Sequence, residues 1–77
     1  MPYNSKAFGI VIARLRAQKG LTQEAASGLS GISRSHWAML ENGRKTVKLS
    51  TLWRIADTLS ISASELVRLV EEETENL

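Results

Sequence analysis

The 77-residue sequence predicts an all-α domain, a compact five-helix bundle, and three observations carry that expectation. Apolar residues recur at helical spacing in successive segments. Cap-forming serines and threonines or glycine stops bound those segments. No stretch alternates apolar and polar residues as a half-buried strand would, and no low-complexity linker or internal repeat interrupts the chain.

The first helix is expected over residues 5 to 19, with Phe8, Ile12 and Leu15 at helical spacing and Gly20 as its stop. Thr22 then offers its hydroxyl to an orphan amide of a second helix, which fades between Gly28 and Gly31. Ser33 caps a third helix that Gly43 ends, and the polar run from Arg44 to Lys48 is a loop. Ser50 or Thr51 opens the fourth helix, whose inward stripe is Leu52, Ile55, Ala56 and Leu59. Ser62-Ala63-Ser64-Glu65 reads as a capping box, Ser62 bonding forward and Glu65 bonding back, at the head of a fifth helix over about residues 62 to 74. Residues 1–77 are therefore expected to form a single domain.

Size and composition bound the function. A chain this short forms one marginally stable core and has no room for a large substrate pocket. With one histidine and one aspartate, His36 and Asp57, neither a Ser-His-Asp triad nor a histidine metal cluster is well supported, so an enzyme is not expected and neither is a metal or cofactor. The absence of cysteine fits a reducing compartment. The longest apolar run, Ala7 to Ala13, is far short of the roughly 20 residues that span a bilayer. It is followed by Arg14 and Arg16 rather than a cleavage site, so a cytoplasmic protein without membrane or small-molecule partners is expected.

The formal net charge of +2 conceals an asymmetry. Residues 1–58 carry nine Lys and Arg against three acids, whereas residues 59–77 carry Arg68 against five glutamates. A basic body suits a polyanion, and the acidic run Glu71 to Glu73 is expected as a solvated helix face.

The second and third helices carry the most specific pattern. Counting Gln23 as the first position, small Ser27 is fifth, Gly31 ninth, Trp37 fifteenth and Leu40 eighteenth, which is the layout of a helix-turn-helix. The small fifth residue lets two steeply crossed helices touch, the glycine supplies the turn, and the apolar pair seats the second helix on the body. About that helix, Trp37 and Leu40 fall on one side, whereas Arg34, Ser35, Ala38, Met39 and Asn42 fall on the other, which is free to enter a major groove. Arg34 suits a guanine, since its guanidinium donates twice to O6 and N7; Met39 offers only apolar contact.

Phe8-Gly9, Ile12 and Leu15-Arg16, then Gly20-Leu21-Thr22-Gln23-Glu24, Gly31-Ile32-Ser33-Arg34-Ser35, Glu41-Asn42-Gly43-Arg44 and the Leu52–Ser62 segment together resemble the DNA-binding domain of phage Cro and lambdoid repressor proteins, over about residues 8 to 66. The resemblance implies a lambda-repressor-like fold and a transcription regulator that binds a palindromic operator in double-stranded DNA as a homodimer. It implies base contacts from Arg34, Ser35 and Met39, with His36 at a position that reaches bases or phosphates in some members. It places Gln23, Ser33, Asn42, Arg44, Lys45 and Lys48 at the phosphates, and a structural ion pair between Arg16 and Glu41. Alanine at 26 and tryptophan at 37 depart from the family's usual leucine and isoleucine or valine in offsetting directions, so Trp37 is expected to fill what Ala26 leaves. Ile10, Val11 and Leu29 are apolar where the family is usually polar, and Val67, Leu69 and Val70 extend the apolar surface of the fifth helix, where a homodimer interface is expected. The valine at 47, where many relatives have proline, and the short chain resemble controller proteins of restriction–modification systems. A phage-type repressor and an antitoxin-like protein-binding module stand as alternatives.

Overall fold

The computed structural model describes residues 2–77 and contains five α-helices, α1 (Ser5–Gln18), α2 (Gln23–Ser30), α3 (Arg34–Glu41), α4 (Leu49–Thr58) and α5 (Ala63–Asn76). Among the described residues there is no strand. The bundle measures 31 × 23 × 22 Å.

Four of the five helices start on a side-chain cap. Asn4, Thr22, Ser33 and Ser62 each accept a backbone N–H three residues on, at 3.0–3.1 Å. The fourth helix departs from the expected start at Ser50 or Thr51. It begins at Leu49, with Lys48 as a cap residue that makes no side-chain bond. The extended backbone of Lys48 (φ −77°, ψ 151°) is enough to launch the helix, and Thr51 is spent on burial instead. Leu49 is 68% exposed, so it adds nothing to the inward stripe of Leu52, Ile55, Ala56 and Leu59.

Two expectations about α5 also change. Only half of the Ser62–Glu65 capping box forms: Ser62 accepts the Glu65 N–H, but the Glu65 carboxylate is held by Arg68 at 2.7 and 2.8 Å. Arg68 also pairs with Glu72, and Arg14 of α1 pairs with Glu73 at 3.0 Å. The acidic end of α5 is thus anchored to α1, and the helix runs two residues beyond the expected end to Asn76.

The core gathers Phe8, Val11 and Ile12 of α1, Ala26 of α2, Trp37 and Leu40 of α3, Leu52 and Ile55 of α4, and Leu66 and Val70 of α5. Trp37 and Ala26 are both wholly buried, as a large-for-small exchange within one core requires. Val11 is buried inside the protomer and needs no partner to cover it, while Leu29 lies exposed on the surface.

Candidate nucleic-acid interface

The α2–turn–α3 unit is assembled by local chemistry. At the end of α2 Gly31 takes the left-handed conformation (φ 73°), and the Ile32 N–H reaches back to the Ser27 carbonyl at 3.0 Å. A side chain at position 31 would be strained there, so the ninth-position glycine follows from the backbone. Ser27 and Ser30 of α2 are buried and turn their hydroxyls back onto helix carbonyls, Ser27 to Glu24 and Ser30 to Ala26. Small side chains there let α2 pack closely on its neighbours without leaving a polar group unpaired.

A close backbone approach lies at the other end of α3. A Cβ built on Gly9 of α1 would fall 2.3 Å from the Glu41 carbonyl oxygen and 2.6 Å from that of Leu40. The backbones of α1 and α3 therefore touch at Gly9, and this contact sets the height at which α3 leaves the core.

Glu41, the last residue of α3, sits at the junction of three helices. Its side chain is only 6% exposed, yet four donors converge on its carboxylate. Arg16 Nε and Trp37 Nε1 donate to Oε2 at 2.6 Å each; Gln23 Nε2 and Arg16 Nη2 donate to Oε1 at 2.8 and 3.2 Å. Arg16 Nη1 continues to the Leu21 carbonyl at 2.7 Å. Burial alone would raise the Glu41 pKa, but the hydrogen bonds from Arg16, Gln23 and Trp37, with the Arg16 charge, hold it below the ordinary carboxylate value. Sequence reasoning supplied the Arg16–Glu41 pair but not the Gln23 and Trp37 bonds. Tryptophan four residues before glutamate is the signal that was available, since that spacing stacks side chains along one helix face.

Away from this junction α3 presents a different surface. Arg34 and Ser35 are exposed in its first turn, His36 and Met39 are half-buried on its flank, and Asn42 is exposed at its end. Ser33 lies at the same edge, its oxygen accepting the His36 N–H and its hydroxyl 3.4 Å from that of Ser35. Arg44, Lys45 and Lys48 follow on the exposed loop. Among the described residues none of Arg34, Arg44, Lys45 and Lys48 has a salt-bridge partner. This strip of uncompensated cations is where a polyanion would gain most. Lys6 extends the strip: its Cα is 3.0 Å from a Cβ placed on Gly43, so this exposed lysine at the start of α1 stands beside the α3–α4 loop. No sequence pattern marked Lys6, because only the tertiary contact brings it there.

The expected dimer residues fall differently. Val70 belongs to the protomer's own core at 8% exposure, and Leu69 packs partly buried against it; Val67 alone of the three is open. The open apolar side chains around Val67 are Leu49, Trp53 and Tyr3. Two shallow grooves, one between Tyr3 and α5 and one between α4 and α5, share Leu52, Val67 and Glu71 and join into one apolar strip. No helix among the described residues is long and apolar enough to cross a membrane.

Residues 7–69 match the helix-turn-helix domain family. The chain is 42% identical over 67 residues to an uncharacterized HTH-type transcriptional regulator, y4dJ, of Sinorhizobium fredii, covering 87% of each. It is 34% identical over 67 residues to control protein C.MunI of a Mycoplasma species, covering 86% of this chain and 90% of that one. Among solved structures it resembles the restriction–modification controller protein C.AhdI of Aeromonas hydrophila with a TM-score of 0.78 and 37% identity, covering 80% of this chain and 94% of that one.

Proposed function

Because this chain belongs to the helix-turn-helix domain family, we propose that it is a transcriptional regulator of the restriction–modification controller type, acting in the cytoplasm by binding a palindromic operator as a homodimer. The observation that carries the reading is the exposed first turn of α3, with Arg34 unpaired at its head and Arg44, Lys45 and Lys48 unpaired beside it. The helix enters the major groove with Arg34 on a guanine, Ser35 and His36 on neighbouring edges and Met39 on a thymine methyl. Gln23, Ser33, Asn42, Arg44, Lys45 and Lys48 hold the flanking phosphates, with Lys6 added to them. The cations supply affinity that is the same for every sequence, and Arg34 supplies choice.

A protomer 31 Å long covers one half-site, so a palindrome read by two recognition helices about 34 Å apart requires a second copy. The apolar strip of Tyr3, Leu49, Trp53 and Val67 is the face that fits it. Leu49 and Trp53 lie on α4 and Val67 on α5, with Tyr3 ahead of α1, and all four apolar side chains are exposed.

Selection of binding sites from random duplex DNA tests the reading. The expected result is a palindrome with guanine at one position of each half-site, whose preference relaxes by about 1–3 kcal/mol in Arg34→Ala. Lys48→Ala should instead weaken binding to all sequences and lower the slope of log K against log salt by about 1. Binding no tighter than to arbitrary DNA would overturn it.

A further inference from the structure

The Glu41 cluster holds one side chain that the DNA-binding reading also uses. Gln23 is the first residue of α2, where a side-chain amide and the helix N-terminus meet a phosphate together, yet its Nε2 is 2.8 Å from Glu41 Oε1. An ionised carboxylate only accepts hydrogen bonds, so it selects one of the two orientations of the amide and turns nitrogen, not oxygen, toward itself. The amide nitrogen carries two hydrogens. One is spent on Glu41, and the other has no partner among the described residues. Glu41 is itself held from the far side by Trp37 Nε1 and Arg16 Nε, both at 2.6 Å, so it cannot follow Gln23 outward.

We propose that Glu41 is a positioning residue for DNA binding, fixing the Gln23 amide so that its second N–H is the donor left for a backbone phosphate. This rests on the DNA-binding reading above. It gives the glutamate a task beyond joining α1 to α3: the recognition helix, through its last residue, orients the phosphate contact at the head of its partner helix. A carboxylate serves here because it accepts on both oxygens: a glutamine at position 41 would give its one oxygen to the Trp37 and Arg16 donors and turn its NH2 toward Gln23.

A double-mutant cycle on a selected duplex, with Gln23→Ala, Glu41→Gln and the pair, tests the assignment. Gln23→Ala is expected to weaken binding about tenfold, the scale of a hydrogen bond to a charged group. The salt slope should stay as it was, since a neutral amide displaces no counterion. Glu41→Gln should cost at least as much, and adding Gln23→Ala to it should cost little more. Multiplicative losses in the pair, or full affinity in Gln23→Ala, would overturn the assignment. Should Glu41→Gln fail to fold, side-chain amide NMR of the intact protein decides the matter. Added duplex should shift one Gln23 amide hydrogen and leave the other, bonded to Glu41, in place; equal shifts of both, or none, would overturn it. If wild-type protein has no preferred duplex, it is the DNA-binding reading that fails, and the free-protein spectrum still reports the Gln23–Glu41 bond.

Discussion

Trp37 has two separable roles, one in its volume and one in its indole N–H. The ring is wholly buried in the core, so Trp37→Ala leaves a cavity costing about 3–5 kcal/mol. For a domain of this size that is much of the total stability, and a melting curve should show a largely unfolded chain rather than a folded one with altered site preference. Trp37→Phe keeps most of the ring but removes the donor to Glu41 Oε2. The loss of a bond to a charged acceptor is worth about 1.5–3 kcal/mol. It also carries a pH signature. The Glu41 carboxyl titrates below its ordinary value in the folded protein, so its contribution is full above that value and disappears as pH falls through the folded pKa. With one of its donors gone the folded pKa rises toward the ordinary one. Acid unfolding of Trp37→Phe, followed by circular dichroism, should therefore begin at a higher pH than in the wild type, and an unchanged acid limb would mean that the indole bond contributes nothing to the carboxylate.

At the level of helices the decisive contact is the crossing of α1 and α3 at Gly9. Alanine is the better helix former by about 1 kcal/mol, so a helix judged alone would be stabilised by Gly9→Ala. Here the added methyl would sit 2.3 Å from a backbone oxygen of Glu41, and backbone cannot rotate aside as a side chain can. The helices must part, at a cost of about 1–3 kcal/mol beyond the propensity gain. Calorimetry should find the melting temperature at least about 5 °C lower, and a rise would refute the close crossing. This contact also explains what could be read from the sequence. Caps and apolar stripes are local, so the number of helices, four of their starts and the inward side of Trp37 and Leu40 were legible. The spacing from Gln23 to Leu40 made the α2–α3 unit legible as well. The start of α4 was not, because Lys48 begins the helix by backbone conformation alone. Nor was the place of Lys6 beside Gly43, the anchoring of Glu73 by Arg14, or the bond from Gln23 to Glu41, since each joins residues 18 or more apart and depends on how the helices are stacked.

The whole molecule leaves one face unsatisfied. Val70 and Leu69, which complete the apolar side of α5 in the sequence, are claimed by the protomer's own core, so the surface that remains is centred on Val67, Trp53 and Leu49. Trp53 is 56% exposed and Val67 41%, and neither is needed to close the core. A charged residue at either site should therefore be nearly neutral for the folded protomer but costly in a twofold interface, where each substitution occurs twice and faces its own copy. Arg68 and Glu71 border the strip, the former already engaged with Glu65 and Glu72, so charge stays at the rim and the centre of the strip is apolar. Sedimentation at tens of micromolar should give a dimer for the wild type and a monomer for Trp53→Asp, with the helical circular dichroism spectrum retained. The monomer should bind a half-site with the guanine preference of Arg34 intact and lose the gain from tethering two half-sites, of order 10²–10⁴ in apparent affinity for the full palindrome. A wild type that sediments as a monomer, or a Trp53→Asp variant that remains dimeric, would move the interface away from α4 and α5.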